Sequence, residues 1–186
     1  MVIRRKIRQL LQDQRGIAAV EFALILPFLI LLFLGGFELS RFLLINQKVD
    51  KSVYAVADIV SQQTSVTNAQ LGQIILAASE IMRPQPIGNK GRIILTSVYK
   101  NGSNAPVVQW QYAGGGTLNR ESKIGKVGKP ATLPGGLTLN DKDNVIISEF
   151  YYEVTPLFTG SAMLPSSLYK FALFKPRLGL LTTPPS

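Results

Sequence analysis

Glu21 stands inside an apolar stretch, five residues after Gly16, and of all the side chains in this sequence it most needs a chemical explanation. An ionised carboxylate at the middle of a bilayer costs roughly 2.5 to 3.5 kcal/mol, and less toward an end, so it must find headgroups or a counter-charge. The spacing leaves two readings open. In one, Glu21 lies near the interface and snorkels to headgroups. In the other, a cut after Gly16 frees an amine at Ile17, and Glu21 of one copy pairs with the Ile17 amine of its neighbour as helices pack side by side.

Other candidates for chemistry have blander readings. The sequence contains neither histidine nor cysteine, which removes Ser-His and Cys-His nucleophile pairs, disulfide scaffolds and the ordinary zinc sites. Ser167-Leu-Tyr-Lys170 has the spacing of a Ser-Lys pair but falls in a predicted strand, where residues three apart point to opposite faces. Glu149 and Glu153 share one strand face and read as exposed positions alternating with Ile146, Phe150 and Tyr152. Gly114-Gly-Gly-Thr117 and the pairs Gly125-Lys126 and Gly128-Lys129 lack the spacing of a phosphate-binding loop and read as loop flexibility. Asn140-Asp-Lys-Asp-Asn144 reads as a turn into a strand, with weak calcium binding at Asp141 and Asp143 left open because the glycine and distal glutamate of an EF-hand are missing. Trp110, between two glutamines, reads as a core residue. No catalytic, cofactor-binding or metal-ligating residue is expected.

The elements that place Glu21 come next. From Ile17 to Phe37 only Glu21, Pro27, Gly35 and Gly36 are not apolar, and a helix over this run is about 31 Å long, the thickness of a bilayer's hydrocarbon core. No polar stripe interrupts Phe22 to Leu34, as it would in the core helix of a soluble protein. The formal net charge is +9, and residues 1–16 hold Arg4, Arg5, Lys6, Arg8 and Arg15 against Asp13 alone. That basic leader keeps the N-terminus in the cytoplasm by the positive-inside rule and sends the rest of the chain outward. The remaining positive charge is scattered without runs and reads as a solvated surface, so no nucleic-acid partner is expected. A cleaved secretory signal has a shorter apolar core and a small-x-small site, neither of which is present.

Gln14-Arg-Gly-Ile-Ala-Ala-Val-Glu-Phe-Ala-Leu-Ile-Leu-Pro27 resembles the opening of TadE-like proteins of the tight-adherence (Flp, type IVb) pilus system. A weaker likeness continues through Arg92-Ile-Ile-Leu-Thr-Ser-Val98, Val108-Gln-Trp-Gln111, Glu149-x-x-Tyr152-x-x-x-Pro156 and Phe174-Lys-Pro-Arg-Leu178. The resemblance implies cleavage by a prepilin peptidase between Gly16 and Ile17, and a role in recognition and assembly for Glu21 and its neighbour Phe22. It departs from the major type IVb pilins, which are much shorter after the span and carry Glu-Tyr where this chain has Glu21-Phe22. It departs also from TadG-like relatives, since no Asp-x-Ser-x-Ser metal motif occurs.

Beyond the span, Phe42, Ile45, Val49, Val53, Val56 and Val60 recur every three to four residues, predicting an amphipathic continuation of the same helix that buries its stripe against an outer domain. Thr67 or Asn68 caps a second helix with apolar positions Leu71, Ile74, Ile75, Ala78, Ile81 and Met82, ended by Pro84. Strands are predicted at 92–99, 107–112, 145–154 and 168–174, with Gly114 to Gly136 as an exposed, mobile excursion.

The fold class is therefore α+β: a transmembrane helix continuing into an amphipathic helix and a second helix, packed on a mainly antiparallel sheet of about four strands, pilin-like in plan. The expected divisions are a leader at 1–16, a span at 17–37 and an extracytoplasmic domain at 38–186. The expected function is a minor pseudopilin or pilus-assembly protein, not an enzyme, in the inner membrane with its C-terminal domain periplasmic. Its expected partners are inner membrane lipid, the prepilin peptidase, and other pilins and assembly subunits. The alternative is an uncleaved single-pass protein whose outer domain binds a secretion or surface component.

Overall fold

The computed structural model describes residues 16–158 and 167–186, so most of the basic leader lies outside the described residues. Helix α1 runs without a break over Ile17–Ser61, 45 residues or about 68 Å. Pro27 sits inside it, where the missing N–H leaves the Ala23 carbonyl without its usual helical donor. Helix α2 covers Asn68–Met82 and begins with a reciprocal cap: Thr67 Oγ1 accepts from the Gln70 N–H at 3.2 Å, and Gln70 Oε1 accepts from the Thr67 N–H at 2.9 Å.

Strands β1 (Gly91–Tyr99), β2 (Val107–Gly114), β3 (Asn144–Glu153) and β4 (Ser167–Phe174) form one antiparallel sheet in the order β2-β1-β3-β4. One register shift, between Ser97 and Val98, interrupts the β1–β2 pairing. The α+β plan and all four strands agree with the sequence reading.

Strand alternation sends two sets of side chains to opposite faces. Ile93, Leu95, Trp110, Ile146, Phe150, Tyr152, Leu168 and Ala172 meet both helices in the main core. From α1, Ile45, Val49, Val53, Val56 and Val60 are buried there and Phe42 is partly so, while α2 contributes Leu71, Ile75, Ala78 and Met82. Each such side chain, fully buried, stabilises by about 1.5 to 3 kcal/mol, so the α1 stripe is a principal contributor to the head's stability.

The other face departs from expectation. Residues 114–136, expected as an exposed, mobile excursion, pack part of their length across the sheet. Ile124 is buried with Val98, Val108, Leu139, Val145 and Ile147, and Ala131 and Leu133 pack at the edge of this second core. The layer is stitched by Thr132 N–H to Ile124 O at 2.7 Å, Ala131 N–H to Pro106 O at 2.7 Å and Val108 N–H to Lys129 O at 3.1 Å. Close approach requires glycine at position 116. A Cβ on Gly116 would lie 2.2 Å from Gly91 O and 2.3 Å from Gly88 O, contacts that only a bare backbone permits.

The C-terminal tail closes the far end of the sheet. Leu181 enters the main core, its carbonyl accepts from Ser97 Oγ at 2.6 Å and Trp110 Nε1 at 2.8 Å, and its N–H donates to Asn144 Oδ1 at 2.8 Å. Arg177 N–H donates to Ser61 O, and Asn68 N–H donates to Ser186 O, so the tail also binds the end of α1 and the start of α2.

Candidate functional site

Gly16 is the N-cap of α1, with φ −93° and ψ −10°, a conformation open to any residue. A Cβ built on it would meet nothing within 4 Å. Neither backbone nor packing therefore requires glycine here, and a demand for it would come from outside the folded chain. Ile17 and Phe22 are exposed, as is Glu21, and among the described residues no hydrogen bond or ion pair reaches the Glu21 carboxylate. Leu24 to Phe33 are likewise exposed apolar side chains. Helix α1 is long and apolar enough to cross a membrane, and none of its most apolar window is buried by the other described residues.

A second glutamate in α1 has the opposite surroundings. Glu38, one residue past the apolar run, is only 3% exposed. Its Oε1 accepts from Arg41 Nη1 at 2.9 Å and its Oε2 accepts from the backbone N–H of Leu157 at 3.2 Å, while Arg41 Nη1 also donates to Thr155 O at 3.1 Å. These bonds fasten the turn after β3 to the helix where it leaves the apolar run. The arrangement was not legible in the sequence, because its halves lie more than a hundred residues apart.

Glu149 requires a correction. The carboxylate is fully buried, since residues 114–136 cover its face of the sheet. It accepts from the Lys123 N–H at 2.9 Å, Tyr169 OH at 2.9 Å, Tyr151 OH at 3.3 Å and Ser122 Oγ. Lys123 Nζ lies 3.8 Å from the centre of the Tyr169 ring, which brings positive charge near the carboxylate without direct contact. Burial first, and then the Glu149 charge and hydrogen bond, push the Tyr151 and Tyr169 hydroxyls well above the ordinary tyrosine range. Glu153 is partly exposed and pairs with Arg120 at 3.2 Å, so the two glutamates do not act as a couple. Glu149 is an anchor that holds the covering layer to the sheet.

The remaining candidates resolve simply. Trp110 is a core residue, 2% exposed. Lys170 pairs with Asp50 of α1 at 3.0 Å, away from Ser167. Asp143 accepts from Lys175 Nζ at 2.9 and 3.0 Å and from the Asn140 N–H, and Asp141 accepts from the Gly102 N–H. The Lys175 hydrogen bond, helped by that from Asn140, holds the Asp143 carboxyl below its usual range. Both aspartates thus have protein donors where a calcium ion would need their oxygens, and among the described residues no cluster of three or more carboxylates is placed to hold a metal.

Among the described residues one helix is long and apolar enough to cross a membrane and carries an α+β head on its far half, an arrangement that fits a single-pass membrane protein. Residues 16–58 match the family of TadE-like proteins, so this segment of the chain is similar to them. The matched segment covers α1 almost to its end and contains both Glu21 and Glu38, while the sheet lies outside it. No curated protein and no solved structure matches the chain. The match and the apolar helix together fit a pilus-associated, single-pass membrane protein.

Proposed function

We propose that this chain is a minor pseudopilin or assembly subunit of a type IVb, tight-adherence pilus, without enzymatic activity. It enters the inner membrane through residues 17–37 with the leader in the cytoplasm and residues 38–186 in the periplasm. A prepilin peptidase removes residues 1–16, and the new Ile17 amine of one subunit then meets the Glu21 carboxylate of another. The observation that carries this reading is Glu21 itself, a carboxylate within the TadE-like segment that has no hydrogen-bond or ion-pair partner among the described residues of its own chain. A charge so placed is stabilised by a counter-charge that another molecule brings. The freedom around Gly16 supports the same reading, because a glycine that the fold does not require suits a protease site.

The test is the mass of the mature protein isolated from its native membrane. Loss of residues 1–16 is expected, with Gly16→Val inserted but unprocessed and pilus-defective. Glu21→Ala should insert at least as well as the parent and fail to assemble. Retention of the leader in the native protein, or normal assembly of Glu21→Ala, would instead favour the uncut anchor whose outer domain binds a secretion or surface component.

A further inference from the structure

We propose that the turn Thr155–Phe158 is a second membrane contact, in which Leu157 and Phe158 enter the interfacial layer of the outer leaflet and fix the head's orientation about α1. The inference rests on the reading of residues 17–37 as a membrane span.

Its first support is height. Helix α1 rises 1.5 Å per residue, so Glu38 and Arg41 lie within about 6 Å of the level of Phe37, the last residue of the apolar run. The headgroup layer on each side of the hydrocarbon core is about 5 to 8 Å deep. Thr155 and Leu157, hydrogen-bonded to Arg41 and Glu38, are held inside that layer. Phe158 lies edge-on to Phe37 itself, with ring centroids 6.4 Å apart.

The second support is composition. Thr155, Pro156, Leu157 and Phe158 are all exposed, directly after the buried Val154. Leu157 is 57% exposed, and Phe37 and Leu39, which flank its partner Glu38 in α1, are about half exposed. An apolar group of this kind gains by burial at the headgroup and acyl boundary, as the apolar faces of interfacial helices do. Two of the turn's backbone groups, the Leu157 N–H and the Thr155 carbonyl, already have partners on α1, which lowers the cost of this placement.

Rotation is the consequence. A helix crossing a bilayer alone leaves its head free to turn about the helix axis, whereas a second contact beside the axis restricts that turn. The Glu38 and Arg41 bonds transmit the restriction, since they hold the turn to one side of α1.

The absence of cysteine from the sequence permits a direct test with single-cysteine variants of the full chain in vesicles of phosphatidylethanolamine and phosphatidylglycerol. A fluorophore is attached at Leu157→Cys, with Leu29→Cys in the span and Leu76→Cys on the exposed side of α2 as references. The label at 157 is expected to be quenched several-fold more than that at 76 by a quencher carried on the lipid headgroup, and to be shielded from aqueous iodide. Glu38→Gln should reduce the lipid quenching at 157 and leave that at 29 unchanged.

A label at 157 as open to iodide as the label at 76, with the label at 29 embedded, overturns the contact and leaves the span standing. Shielding of 157 from both quenchers also overturns it, because protein would then cover the turn. Exposure of 29 to iodide would remove the span and this inference with it.

Discussion

Glu21 and Glu38 lie 17 residues apart on one continuous helix and meet opposite surroundings. Glu38 is buried and bonded to Arg41 and to the Leu157 backbone, so its charge is compensated within the chain. Glu21 is exposed in the first part of that helix, whose most apolar window no other described residue buries. The same contrast divides the whole of α1. Its first half presents apolar side chains on every side, and its second half buries one stripe beneath a sheet. A helix that serves two solvents is stabilised by its own chain only in the second half, so substitutions in the two halves should be read out by different measurements.

The largest expected effect comes from removing the docked half. A chain beginning at Gln62 loses six buried apolar α1 side chains from Ile45 to Val60, and the five Ile and Val among them, at about 1.5 to 3 kcal/mol each, together fall in the range of an ordinary domain's whole stability, about 5 to 15 kcal/mol. It should show no cooperative thermal transition, whereas a chain beginning at Glu38 should unfold cooperatively. Equal midpoints would show that the sheet does not depend on α1.

A single substitution sharpens the same comparison. Ile45→Ala should lower head stability by about 2 to 5 kcal/mol in denaturant titrations, and Leu29→Ala, facing lipid, should leave it unchanged. Glu38→Gln should cost about 1 to 3 kcal/mol through the loss of its charge-assisted bonds. Glu21→Ala should move no denaturation midpoint while abolishing assembly, and a stability loss equal to that of Glu38→Gln would erase the distinction between the two glutamates.

The smallest effects are those of pH on the head. Because Tyr151 and Tyr169 have hydroxyl pKa values raised by folding, their contribution is fully present below the unfolded tyrosine value of about 10 and is lost as pH rises above it. Tyr169→Phe should flatten that alkaline loss. At the acid end the Asp143 pKa is depressed by Lys175 and Asn140, so its contribution is present above the ordinary carboxyl value of 3.8 and fades as pH falls through the lower folded value. Asp143→Asn should remove this acid dependence in a pH series of thermal midpoints, with little change in pH dependence between pH 5 and 8.

Local periodicity in the sequence determined the helices, the four strands and the stripe from Phe42 to Val60, because each is a repeat of 3.6 or 2 residues that states which side must leave water. It also singled out Glu21, since a carboxylate in an apolar run is conspicuous without any knowledge of the fold. Only the tertiary structure decided the fate of Glu149. Strand alternation put it on the face with Val145, Ile147 and Tyr151, but whether that face met water depended on residues 114–136, a segment rich in Gly, Lys and Thr with no period to reveal that it packs. Only the tertiary structure, too, brought Leu157 to Glu38 and Leu181 to Trp110, because contacts between distant parts of a chain are fixed by the packing of whole elements and leave no local signature in the residues that make them.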